Sequence, residues 1–202
     1  MFIVMSIVII VLMVMLKSGL NLSKIMENKR YMESGLERLE FQNIRSEMVK
    51  TMQICYSQGN MSGCLDDFFK FSKRSLNARA IDLNGYLVKS TYSSPETNSR
   101  LNVTVLNGLG EEMNTLNLTL NSSTQIFKSI QDVSAVETSF TISTNLNYTL
   151  TVFYNTSSEN RTETITIPVV SGKGRFITFF DLRMVSNRAE LRDKFTETVN
   201  LP

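Results

Sequence analysis

The chain has 202 residues, a net charge of +2, 42% hydrophobic residues and neither histidine nor tryptophan. So small a charge gives no electrostatic case for nucleic acid, and the missing histidine removes the commonest general base and the commonest metal ligand together. No metal or cofactor site is visible: the GLG of Gly108 to Gly110 and the GKG of Gly172 to Gly174 are too short to cradle phosphate, and two cysteines without histidine do not complete a zinc site.

Met1 to Leu16 holds fifteen apolar residues and one polar one, Ser6, before Lys17 ends the run. At about 1.5 Å per helical residue it reaches roughly 24 Å, short of a hydrocarbon core about 30 Å thick. Leu20 and Leu22 extend it if Lys17 snorkels, which gives an anchor over 1–22 that meets membrane lipid or sister subunits. An uncleaved anchor fits better than a signal peptide, because neither a basic n-region nor a small-residue cleavage site is present. A buried soluble helix is the remaining alternative. Lys17, Lys24, Lys29 and Arg30 follow the run, which by the positive-inside rule places that side in the cytoplasm. The features below place it outside, and the two agree if a basic leader once preceded Met1.

Residues 23–85 predict an amphipathic helical stalk. Ile25, Met32, Leu36, Leu39, Ile44, Met48 and Met52 form one apolar stripe with a single slip, flanked by glutamates. Cys55 and Cys64 close CYSQGNMSGC, whose two glycines suit a tight loop; outside the cytoplasm the pair reads as one disulfide, with two free buried thiols as the alternative. A second helix follows, acidic at Asp66 and Asp67 and basic later, ended by Asn84-Gly85. Residues 86–100, around Pro95, read as a linker.

From 101 the apolar period becomes two. Leu101, Val103 and Val105; Leu116, Leu118 and Leu120; Tyr148, Leu150, Val152 and Tyr154; and Ile165, Ile167 and Val169 each alternate with polar residues. Phe176, Phe180, Leu182 and Met184 share one parity, and 126–130 and 136–143 are further strand candidates. The fold class predicted is α+β: a long N-terminal hydrophobic and amphipathic helix, then an antiparallel β-sandwich over 101–185, immunoglobulin-like or pilin-like, and a tail over 186–202.

Asn-x-Ser/Thr sequons occur at Asn21, Asn60, Asn102, Asn117, Asn121, Asn147, Asn155 and Asn160. Asn102, Asn117, Asn121 and Asn147 carry the polar parity of their strands, so they face outward, where a glycan must be. Asn155 and Asn160 bracket a turn. Asn21 sits against the anchor, out of reach. Ordinary polar-face asparagine is the alternative reading.

Candidates for chemistry are few. Glu111-Glu112 and Asp66-Asp67 are adjacent acids, but neighbours diverge on a helix or strand, so solvated surface is the better reading. In 68–79, Phe68, Phe69 and Phe71 alternate with Lys70, Lys73 and Arg74; core phenylalanines with solvated bases fit better than a membrane-surface helix. Asp181, Arg183, Arg192, Asp193 and Lys194 suit a surface ion-pair group of small energetic weight.

The layout of Met1 to Leu16, the stripe from Ile25 to Met52 and the alternation from Leu101 to Met184 resembles an archaeal type IV pilin or archaellin-like protein. The resemblance implies helices bundled in a filament core and glycosylated heads outside. The function expected is therefore a non-enzymatic cell-surface structural protein, with no catalytic residues, metal or cofactor. It would be anchored or polymerised through 1–22, with the bulk of the chain extracellular. A single-pass, membrane-anchored binding or adhesion module is the alternative.

Overall fold

A computed structural model describes residues 35–55, 63–93, 99–143, 146–170, 172–187 and 189–200. The chain divides into two compact units, Met1–Asn43 and Ile44–Pro202. Helix α1 covers 35–55 and α2 covers Gly63–Asn77. Nine strands follow: β1 Asp82–Tyr92, β2 Ser99–Gly108, β3 Met113–Leu120, β4 Ser123–Ile130, β5 Ser134–Ile142, β6 Asn147–Asn155, β7 Asn160–Pro168, β8 Arg175–Val185 and β9 Glu190–Asn200.

The strands form two antiparallel sheets. The first has the order β5-β2-β1-β8-β9 and the second β4-β3-β6-β7. The β8–β9 hairpin extends the first sheet on the side of β1 that β2 leaves free. The core between the sheets draws Tyr86, Val88 and Tyr92 from β1, Ile177 and Phe179 from β8, and the alternating apolar residues of β2, β3, β6 and β7.

A third layer of helix lies on the outer face of the first sheet. Met48, Met52 and Cys55 of α1 and Leu65, Phe69 and Leu76 of α2 are buried, as are Leu83, Leu87, Phe176, Phe180, Leu182 and Met184 on the strands. Arg45 stacks 4.4 Å over the Phe195 ring and pairs with Asp193 at 2.9 Å, fixing α1 to β9. Gly108 admits α2: a Cβ there would lie 2.2 Å from Cε1 of Phe69.

Several expectations need correction. In place of a long N-terminal helix, the described residues hold two short ones. Cys55 and Cys64 form a disulfide with Cα atoms 5.7 Å apart, which holds the end of α1 to the start of α2. The anchor span 1–22 lies outside the described residues, and among those described no helix is long and apolar enough to cross a membrane. The β-sandwich stands, but it begins earlier and ends later than 101–185. The linker of 86–100 contains most of β1, and the tail of 186–202 contains β9. β1 and β8 lie between two layers and are buried on both faces, so the alternation that marks a half-exposed strand is lost. Asn84-Gly85 is no stop: Gly85 sits within β1, where the β8 backbone comes close. The apolar stripe holds only in part. Met48 and Met52 are buried, whereas Leu36 and Leu39 are 64% and 57% exposed and Glu37 and Phe41 are buried instead. The slip between Leu39 and Ile44 is where the phase changes.

Candidate functional site

The outer face of the second sheet is the exposed broad surface. Cross-strand pairing aligns Thr124, Thr119, Thr151 and Thr164 in one row, one residue from each strand. The Thr119 and Thr124 hydroxyls are 3.0 Å apart. Thr149 pairs with Thr166 in the next row, and Ile126, Asn117, Phe153 and Thr162 form the row on the other side. Among the described residues of this face, Lys128 is the one charge. An N-x-T sequon in a strand puts its asparagine and its threonine on one face, since residues two apart point the same way.

Asn102, Asn121, Asn147 and Asn160 are exposed; Asn117 and Asn155 are half-buried. Asn102 lies on the outer face of the first sheet, and Asn117, Asn147, Asn155 and Asn160 lie on the outer face of the second. Asn121, with φ 52°, occupies the β3–β4 turn. Asn155 and Asn160 are cross-strand partners whose amides hydrogen-bond, and the buried Oδ1 of Asn117 has no partner. Asn60 and Asn21 lie outside the described residues.

A second arrangement gathers at the sheet end where the β2–β3, β4–β5 and β6–β7 connections meet. Fully buried Asn107 organises it: its Nδ2 donates to the carbonyls of Glu111 at 2.9 Å and Ile130 at 3.0 Å, and its Oδ1 accepts from the Leu109 amide at 3.1 Å. Lys73 of α2 reaches in to Asp132 at 3.0 Å, and the Gly110 amide donates to the same carboxylate at 2.9 Å. The acids expected at the surface have partners here. Glu111 accepts from Ser157 at 2.5 Å and from Ser158, and Glu112 accepts from Ser129. Burial pushes the Glu111 carboxyl up, but the serine and threonine hydroxyls around it outweigh that and hold it below its ordinary value. Val133 has φ 60°, a conformation that costs a β-branched residue about 1–3 kcal/mol.

The late charged residues form more than a surface group. Asp181 is 2% exposed and accepts two hydrogen bonds from Arg192, at 2.8 and 2.5 Å. Lys194 lies 3.7 Å from Asp181 and also pairs with Glu163 of β7, so edge strand β9 is tied to the edge of the other sheet. Beside them, Glu159 accepts from Tyr154 at 2.9 Å and from Arg161 at 2.6 Å. The Tyr86 ring meets the Tyr154 ring edge-on at 5.0 Å, and its buried hydroxyl has no partner. Burial first, then the negative charge of Glu163, raise the Tyr86 hydroxyl far above its ordinary value. Arg183 pairs outward with Glu190. Inward-pointing charges on an edge strand oppose further strand pairing.

In 68–79 the phenylalanines divide: Phe69 is buried, Phe68 half-buried and Phe71 67% exposed. Asp66, expected in solvent, is buried with Lys89 at 2.8 Å. Sequence reasoning missed that pair because nothing local links residues 66 and 89.

No protein-family model, no curated protein and no solved structure matches this chain.

Proposed function

We propose that the protein is a non-enzymatic cell-surface structural subunit, pilin-like in role, held in a membrane or polymer through the apolar residues 1–22 and presenting a glycosylated β-sandwich outward. The observation that carries this reading is the one-sidedness of the second sheet. Four sequon asparagines share its outer face with a nearly charge-free array of threonines, while helices cover the outer face of the first sheet. The disulfide fits an oxidising compartment. Burying fifteen apolar side chains against lipid or sister segments supplies the driving force for anchoring.

The experiment is negative-stain microscopy of sheared cell-surface material labelled with antibody against the sandwich. Labelled filaments are the expected result; label confined to membrane sheets rejects the subunit reading. A second reading, an anchored adhesion module, draws on the loop end around Asn107, where three connections converge and Val133 holds a strained backbone. Membrane-confined label together with binding lost on loop substitution would favour it.

A further inference from the structure

Lys89 and Asp66 meet in the layer between α2 and the first sheet. Lys89 stands in the middle of β1 and Asp66 in the first turn of α2, with Nζ 2.8 Å from Oδ1 and side chains 2% and 11% exposed. Leu65 and Phe69 beside Asp66 are fully buried. The cross-strand partner of Lys89 is Thr178, also fully buried, whose hydroxyl has no hydrogen-bond partner. Removing two charges from water is costly, and only good geometry offsets it. One proton transfer along the Lys89–Asp66 hydrogen bond turns the ion pair into an amine and an acid, the two partners of an amide condensation. Consistently, burial pushes the Asp66 carboxyl above its ordinary value against the pull of Lys89.

We propose that Lys89 and Asp66 condense to an intramolecular isopeptide bond. After that proton transfer the Nζ lone pair attacks Cγ of the Asp66 carboxyl, and a C–N bond forms. The C–OH bond then breaks, and the hydroxyl leaves as water with the proton that Nζ sheds. One amide and one water result, and nothing is oxidised or reduced. Groups held at contact distance react with effective molarities on the order of 10⁵–10⁸ M, which removes the need for an activated carboxyl. The covering helix keeps water from the product. Cys64 precedes Asp66 by two residues and is bonded to Cys55 at the end of α1. The amide therefore continues a covalent path from α1 into β1, a strand with hydrogen-bonded neighbours on both sides.

The test is peptide mass spectrometry of the full chain, made in a host without N-glycosylation, reduced and cleaved with trypsin. The expected product is one branched peptide joining 51–70 to 80–100, uncut after Lys89 and lighter than the two together by one water. Lys89→Arg keeps the charge but has no amine to condense, and it should give complete loss of the branched product. Full recovery of 51–70 and of peptides cut at Lys89 as separate species overturns the proposal, and this wild-type measurement stands whether or not a variant folds. The same branched product from Lys89→Arg also overturns it.

Discussion

Gly85 and Asp181 approach across the β1·β8 pair so closely that a Cβ at Gly85 would lie 2.2 Å from the Asp181 backbone oxygen. Backbone cannot yield as a flexible side-chain tip can. Gly85→Ala should therefore force the two central strands of the first sheet apart and destabilise the fold by about 2–3 kcal/mol, an overpacking effect. Gly35→Ala, in α1 with open space around the new methyl, is the matched control and should be neutral or slightly stabilising. Urea unfolding midpoints check both, and equal midpoints for Gly85→Ala and wild type would refute the close approach.

The Cys55–Cys64 bond closes a short loop and holds the end of α1 against the start of α2. In the chain-entropy model such a closure contributes about 2–3 kcal/mol. The Cys55→Ser, Cys64→Ser double variant should unfold at correspondingly lower denaturant. A reducing agent should lower the wild-type midpoint and leave the double variant unmoved. A midpoint that is indifferent to reduction in the wild type would show that the bond adds no stability.

What could be read from the sequence follows from which faces are wet. β2, β3, β6 and β7 each put one face in the core and one outward, so Leu116, Leu118 and Leu120 announce their strand. β1, covered on both faces, shows no such signal, and its polar Lys89 and Asn84 look like loop. The parity of Phe176, Phe180, Leu182 and Met184 was legible, but these residues face the helices rather than the other sheet. At the sites, the outward parity of the sequons was readable because it is local. The pairings of Asp66 with Lys89 and of Asp181 with Arg192 were not, since each depends on strands or helices brought together by the fold.

Acid should loosen the loop end. For Glu159, burial raises the carboxyl, but the hydrogen bonds from Arg161 and Tyr154 outweigh it and the net shift is downward; Glu111 behaves alike through its serine partners. A carboxyl depressed in the folded state contributes stability above its unfolded value, about 4.3 for glutamate, and loses it as pH falls through the folded value. Stability should therefore fall as pH drops below about 4, and a Glu111→Gln, Glu159→Gln double variant should show a shallower fall. Parallel acid unfolding curves for the two proteins would remove these carboxylates from the explanation.

Glycan occupancy should follow side-chain freedom rather than motif. Asn102, Asn147 and Asn160 are exposed on strands, and none of their Nδ2 groups is donated to a packed neighbour in the hydrogen bonds seen. Asn117 is half-buried between its cross-strand neighbours Ile126 and Phe153, and the Asn155 Nδ2 is already donated to Asn160, so a glycan at either must displace packed groups. Glycopeptide mass spectrometry of the native protein should find high occupancy at Asn102, Asn147 and Asn160, and low occupancy at Asn117 and Asn155. Asn147→Gln should remove one glycan mass without altering the unfolding midpoint. The order disappears if attachment precedes folding and ignores the folded face. Occupied Asn117 beside empty Asn147 and Asn160 would therefore separate the sequons from the geometry that makes the second sheet the outward face.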